Sequence, residues 1–383
     1  MNVVAAPDSF KENLTAQQVA FAIERGVKNA LPSASVTVVP MSDGGEGSLQ
    51  SVVDATNGRF TEVDILDALL RPIKARYGVF ANGTTAFIES AQAVGLGMLT
   101  SDERNPLNTS TYGVGQLIKH AVQSGCKQLI VGLGGSSTND GGAGMLQALG
   151  SQLLDDNGNP IGAGNKALAG LASVDISAAK ELLNSVAVTI AGDVTNPLCG
   201  SGGATYVFAP QKGAAEGDLA ALDKNLERYA AVIGKTLGKS YASKAGAGAA
   251  GGLGFALMVA ADAAMRKGVE LIADLLGLEA VVAKADIVFT GEGSIDGQTA
   301  HGKVVSGISA MSQKYGVPVV ALCGKKSGSM AALHQQGLTA TFSIADSPMT
   351  LAESMQNAER LLEEQAEEVM RIFISGTTVA KKL

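Results

Sequence analysis

Val3-Val4-Ala5-Ala6-Pro7-Asp8-Ser9-Phe10-Lys11 is a short apolar run that stops at a proline and an acid. A helix follows. Thr15, with Gln18 three positions later, is a capping box, in which two side chains satisfy backbone N–H groups that open a helix. Val19, Ile23 and Val27 recur every four residues and turn one apolar stripe toward a sheet. Val36, Val38 and Val39 then read as a second strand. Two parallel strands joined by a covering helix send both outgoing loops, residues 8–13 and 42–48, from the carboxyl ends of strands, where open α/β sheets bind ligands.

The far end of the chain repeats this logic. Ile287-Val288-Phe289 runs into Gly291-Glu292-Gly293, the apolar residues 317–322 run into Cys323-Gly324, and residues 340–344 run into Ala345-Asp346. Thr350 with Glu353 is a second capping box. Leu351, Met355, Ala358, Leu362, Ala366, Val369 and Phe373 after it predict one long amphipathic closing helix. Between the ends the texture changes to extended stretches at 76–80 and 84–88, a strand at 128–133 and two long Gly-rich segments. The expected fold is α/β with two lobes: a Rossmann-like parallel-sheet domain built from both chain ends (1–62 and 285–383), and a second α/β domain inserted at 63–284. The active site is expected in the cleft between them, a common place for a small-molecule site. A tandem arrangement cut near residue 200 is the alternative.

Composition narrows the function classes. A net charge of −7 and a pI near 5.1, with no clustered excess of Lys and Arg, speak against a nucleic-acid partner. No basic segment precedes the first apolar run, and the uncharged stretch 245–261 is broken by glycines, so neither a signal peptide nor a membrane span is expected. The expectation is a soluble, cytoplasmic protein, and the residues leave a homo-oligomer open. Cys126, Cys199 and Cys323 are scattered without CxxC spacing, which supports three buried thiols over a disulfide framework or a zinc site. The 48 glycines exceed the usual ~7% and bunch at the ends of apolar runs, as in loops that approach a ligand closely.

Two of those loops stand out. Gly134-Gly135-Ser136-Ser137-Thr138-Asn139-Asp140-Gly141-Gly142 lies between an apolar strand and a helical segment, an arrangement whose free backbone N–H groups suit phosphate. The Lys of a Walker A loop is absent from it, and a tight turn capping the helix is the competing reading. Gly246-Ala247-Gly248-Ala249-Ala250-Gly251-Gly252-Leu253-Gly254 also feeds a helix, with close helix packing as the alternative to a phosphate role. Around them lie acids placed after apolar runs. Asp8, Ser9 and Lys11 put an acid, a hydroxyl and a cation together; Lys11 can meet a phosphoryl group, and Asp8 can hold a metal or accept a proton. Asp43 and Glu46 offer a carboxylate pair for Mg²⁺, which prefers oxygen ligands. Asp193, Glu292 and Asp296 complete the set, each with an Asx turn or helix cap as its plainer reading. A phosphate cradle, a cation, a carboxylate-bound Mg²⁺ and a carboxylate facing a hydroxyl are the parts of phosphoryl transfer. His301, beside Gly302-Lys303, reads as structural.

Six ordered motifs, Ala6-Pro7-Asp8-Ser9-Phe10-Lys11-Glu12, Ser42-Asp43-Gly44-Gly45-Glu46-Gly47, the 134–145 stretch, Asp193-Val194-Thr195-Asn196-Pro197-Leu198, Gly246 to Gly252, and Thr290-Gly291-Glu292-Gly293, resemble the bacterial type-1 glycerate kinase family over nearly the whole chain. The resemblance implies transfer of the ATP γ-phosphoryl group to D-glycerate with Mg²⁺, giving 2-phosphoglycerate. On that footing Lys11 and Asp193 are the catalytic candidates, Lys11 neutralising the phosphoryl and Asp193 taking the hydroxyl proton. Asp8, Ser9, Glu46, Asn196 and Glu292 are candidates for substrate; Gly134, Gly135, Ser136, Asn139, Asp140, Gly248, Gly251 and Gly252 for nucleotide; Asp43 and Asp296 for metal. Ser294 stands where members often carry Arg, so Lys303 or Arg104 would have to supply a cation. A kinase of another short hydroxy or sugar acid, a 3-phosphoglycerate-forming enzyme, and an inactive nucleotide- or metabolite-binding protein are the alternatives. A dehydrogenase is disfavoured, because no dinucleotide fingerprint follows the first strand.

Overall fold

The computed structural model describes residues 1–45, 47–297, 299–300 and 303–380, the last three by their backbone alone. In chain order the strands are β1 (Asn2–Ala5), β2 (Ser35–Val38), β3 (Arg59–Leu66), β4 (Pro72–Phe80), β5 (Thr85–Glu89), β6 (Gln128–Gly132), β7 (Gln152–Leu154), β8 (Ser173–Asp175), β9 (Ala187–Ala191), β10 (Ala264–Arg266), β11 (Ile287–Ile295), β12 (Val319–Lys326) and β13 (Ala340–Ser343). They divide between two compact units. Met1–Asp43, Gln50–Thr56 and Val269–Leu383 form the first, Gly44–Leu49 and Asn57–Gly268 the second.

The first unit carries a five-stranded, wholly parallel sheet in the order β13-β12-β11-β1-β2. The predicted stripe Val19, Ile23 and Val27 is buried in the helix Ala16–Ala30, whose Thr15–Gln18 capping box is formed. That helix packs on Ala358–Ala380, where Leu361, Leu362, Ala366 and Met370 complete the core. At the crossing a Cβ on Gly26 would stand 2.1 Å from the Glu363 carbonyl oxygen, so only glycine lets the backbones approach this closely. Arg25 fastens the same seam to Glu359 at 2.6 Å and Glu363 at 2.7 Å.

The second unit holds the sheet β10-β9-β6-β5-β4-β3 and a small β7-β8 pair. From β10 to β5 the strands run parallel, while β4 and β3 extend the edge antiparallel. Its core includes Tyr77, Ile88, Leu117, Val131, Tyr229 and Phe255.

Three expectations need correction. The chain passes between the units at 43/44, 49/50, 56/57 and 268/269: Gly44–Leu49 already belongs to the second unit, β3 pairs with β4 along its whole length and takes residues 59–62 there, and Val269 packs against Gly307 of the first. The closing helix is two helices, Leu351–Gln356 and Ala358–Ala380, with Asn357 between them at φ −101° and ψ 4° and its side-chain amide donating to the Glu353 carbonyl at 2.8 Å. Strand β11 does not end at Phe289 but continues through Gly291-Glu292-Gly293 to Ile295, still paired with β12. Among the described residues no helix is long and apolar enough to cross a membrane, and the three cysteines are free, Cys126 and Cys323 buried and Cys199 half-buried.

Candidate active site

The continuation of β11 creates the floor of the main cavity of the first unit. A Cβ on Gly291 would sit 2.1 Å from the Leu322 carbonyl oxygen, so glycine keeps β11 and β12 in register beyond their apolar halves. Glu292 and Ser294 are thereby placed opposite Cys323 and Lys325. Beside them the chain leaving β1 follows β11, with the Asp8 N–H donating to the Gly291 carbonyl at 2.8 Å, and the chain leaving β2 follows in turn, with the Met41 N–H donating to the Pro7 carbonyl at 2.9 Å. The ends of β1 and β2 and the continuation of β11 thus deliver Asp8, Ser9, Lys11, Asp43 and Glu292 to one cavity of 380 Å³. Lys303 and Lys325 also line it.

The electrostatics of this cavity are strained. Burial pushes the Asp8 carboxyl up to about 7, and the charges of Asp43 and Glu292 add to the rise; the Ser9 N–H, donating to Asp8 Oδ1 at 2.6 Å, and the charge of Lys11 oppose it. Burial also raises the Glu292 carboxyl, opposed chiefly by Lys303, whose Nζ lies 3.2 Å from Glu292 Oε2. Among the described residues, Glu292 Oε1 is buried with no hydrogen-bond partner. A buried carboxylate oxygen without a donor fits a cation or a ligand hydroxyl. Among the described residues no three His, Cys, Asp or Glu side chains are grouped as a closed metal cage. That arrangement still suits Mg²⁺, which takes one or two protein carboxylates and fills its remaining positions with phosphate oxygens and water.

Asp296, expected to share a metal with Asp43, sits past the end of β11 in a turn where its N–H donates to Thr299 Oγ1 at 3.2 Å, outside the lining of this cavity. Glu46 and His301 lie outside the described residues. Lys303 is the cavity cation of the two weighed against Ser294; Arg104 belongs to the second unit, where its carbonyl packs on Gly213.

In the second unit, residues 134–142 leave β6 as expected, with Gly135 at φ +68°. Asp140 is buried and spends its carboxylate on the loop itself, accepting from Thr111 N and Oγ1 at 2.8 and 2.9 Å, Gly142 N at 3.0 Å and Gly144 N at 3.2 Å. The Asn139 side-chain oxygen accepts from Asn165 at 3.1 Å and Thr205 at 3.2 Å. Both side chains therefore shape the loop from inside the unit. The second glycine loop packs directly against the first: a Cβ on Gly251 would lie 1.9 Å from the Thr138 carbonyl oxygen, and one on Gly252 would lie 2.6 Å from the Gly141 Cα. The Gly141 N–H donates to the Gly251 carbonyl at 3.0 Å. Gly248 is pinned to the Asp193 loop, its N–H donating to the Asn196 carbonyl at 2.9 Å. Close backbone packing, the plainer of the two readings, accounts for glycine at 248, 251 and 252. Asp193 is half-buried after β9, and Asn196 donates to the Gly202 carbonyl at 2.7 Å.

Two polar residues escaped the sequence reading. Glu89, at the end of β5, accepts from Gly47 N and Leu49 N at 3.0 Å each and clamps the acidic glycine loop. Lys212 is 2% exposed and donates to Ser136 Oγ at 2.9 Å and the Thr138 carbonyl at 2.7 Å. An acid closing an apolar strand was the available signal for Glu89; nothing local marks Lys212.

Comparison with known proteins gives one consistent result. The family described as the glycerate kinase family matches residues 3–374. A glycerate kinase of Bacillus subtilis (strain 168) is 45% identical across 96% of this chain and 97% of its own. A glycerate 2-kinase of Escherichia coli (strain K12) is 44% identical across 94% of each. A crystal structure of a protein from Salmonella typhimurium LT2 superposes with a TM-score of 0.90 at 42% identity, over 99% of both chains.

Proposed function

The chain belongs to the glycerate kinase family and is an enzyme of the kinase class, and from that premise we propose that it transfers the γ-phosphoryl group of ATP to D-glycerate in the cytoplasm, giving 2-phosphoglycerate and ADP. The observation that carries this reading is the first-unit cavity, in which Asp8, Ser9 and Lys11 after β1, Asp43 after β2 and Glu292 within β11 meet. Phosphoryl transfer is mostly positioning and charge neutralisation. Lys11 meets the transferring phosphoryl as a point charge, and Lys303, already opposite Glu292, is placed to take the carboxylate of the acid. Asp8, Ser9 and Glu292 orient the substrate hydroxyls. Asp43 and the unpartnered Glu292 Oε1 would hold Mg²⁺, which when bound neutralises charge on the phosphate oxygens. The backbone amides of Gly134, Gly135 and Ser136 cradle the nucleotide phosphates.

In the step itself a substrate hydroxyl oxygen bonds to the γ-phosphorus, the bond from that phosphorus to the ADP oxygen breaks, and the hydroxyl proton leaves to a carboxylate. Asp193 is the acceptor carried from its motif; Asp8, which lines the cavity with Lys11, is the second candidate. The acceptor is the one whose Asn variant lowers kcat by roughly 10²–10⁴ while KM for the acid stays near wild type. The reading as a whole is tested by ADP release from Mg²⁺·ATP with a panel of short hydroxy and sugar acids. D-glycerate should give the highest kcat/KM; a clear preference for another acid would reassign the substrate, and no turnover with any would leave a binding protein.

A further inference from the structure

Lysine is almost never fully buried unless paired, because its ammonium is costly to take out of water. Lys212 is buried in the single turn Pro210–Lys212, and its two hydrogen bonds among the described residues reach one short segment, Ser136 Oγ and the Thr138 carbonyl. The ionisable group that acts on Lys212 is Asp140 of the loop, whose carboxylate is already spent on Thr111, Gly142 and Gly144; Tyr229 of the helix Leu219–Leu237 lies in turn within reach of the Asp140 charge. The turn itself is held in place: Gly213 has φ +93°, and a Cβ there would stand 2.1 Å from the Arg104 carbonyl oxygen. In the same loop Thr138 Oγ1 and Asn139 Nδ2 are buried without a hydrogen-bond partner among the described residues, on residues 0% exposed, and polar atoms in that state point to a bound group or water.

We propose that Lys212 is the positioning residue of the nucleotide loop: it holds Ser136 and Thr138 in the shape that binds polyphosphate, and it sets a positive charge behind the loop for the anion to meet. This rests on the reading of residues 134–140 as the nucleotide loop. A methionine would fill the same space without burying an ammonium, so packing alone gives no reason for lysine. Burial holds the Lys212 amine down to about 7, with the Asp140 charge opposing the shift. A bound polyphosphate favours the protonated amine, so nucleotide binding draws in a proton, and affinity falls as pH rises above about 7, by at most tenfold per pH unit for one proton.

The test is calorimetric titration of the full-length protein with ADP at pH 8, where the phosphates are fully ionised, in two buffers of different ionisation enthalpy. The wild type should take up protons on binding, and Lys212→Met should take up fewer. In steady state Lys212→Met should raise KM for ATP at least tenfold while KM for D-glycerate is unchanged, a split that general loosening of the fold would not give. Lys212→Arg, which can donate the same two hydrogen bonds, should recover part of the ATP affinity without its pH dependence. Wild-type binding without proton uptake overturns the proposal even if no variant folds, as does a wild-type KM for ATP in Lys212→Met. ADP binding with proton uptake but no turnover of D-glycerate would sink the kinase reading and leave the role of Lys212 standing; absence of ADP binding would sink both.

Discussion

Asp8 shows how function and stability pull against each other at a single residue. Its carboxyl is raised from 3.8 to about 7, so the fold favours the protonated acid. The sign follows: the associated stability is complete below about pH 4 and is lost as pH rises through about 7, leaving a penalty on the order of 4 kcal/mol at pH 8 as an upper bound. Asp8→Asn keeps the shape without the charge and should raise Tm by several degrees at pH 8 in metal-free buffer, with little change at pH 4. An unchanged or lower Tm at pH 8 would show that the carboxylate is compensated in the folded protein. Lys11 is the opposite case, an exposed lysine whose value lies in the ligand it meets. Lys11→Ala should leave Tm within about a degree and lower kcat/KM by roughly 10²–10³, the usual loss for a group that stabilises transition-state charge. Near-wild-type turnover would remove Lys11 from the mechanism. The Asp8, Ser9 and Lys11 constellation was legible because its members are neighbours in sequence at a strand end; Glu292 was legible as an acid but was placed past a strand that in fact runs through it.

At the scale of elements, the two glycine loops carry the clearest lesson. Both look like phosphate cradles in sequence, since a glycine required by a ligand and a glycine required by another loop leave the same trace. In the second loop Gly251 sits at φ +67° with its missing Cβ 1.9 Å from a carbonyl oxygen of the first, whereas Gly217, in the turn Glu216–Asp218 outside both loops, has open space around it. Gly251→Ala should therefore cost about 3 kcal/mol or more, from backbone strain and overpacking together, and weaken ATP binding by displacing the first loop. Gly217→Ala should stay within about 0.5 kcal/mol. Equal denaturation midpoints for the two variants would refute the packing account. The same scale explains the strand that was missed: Arg59–Leu66 is an edge strand with Glu62 and Asp64 in it and only Ile65 buried, so it lacks the apolar run by which the central strands announce themselves.

Across the whole molecule, the topology was readable because each end of the chain carries its own strand-and-helix grammar. Val3–Ala5 and Ile287–Phe289 are adjacent parallel strands despite lying nearly the length of the chain apart, as two half-sheets of matching pattern suggested. What stayed hidden are the long-range polar contacts. Lys212 reaches a loop more than seventy residues away and Glu89 a loop forty residues away, and no local periodicity encodes such pairings. The reaction proposed for the whole molecule esterifies the secondary hydroxyl of D-glycerate. Proton-coupled phosphorus NMR of the product tests it most directly, because a phosphate on the middle carbon couples to one proton and one on the terminal carbon to two. The expected result is a doublet that appears only when ATP, Mg²⁺ and D-glycerate are all present. A triplet would place the ester on the terminal carbon, and no new ester signal with active, folded protein would contradict glycerate phosphorylation altogether.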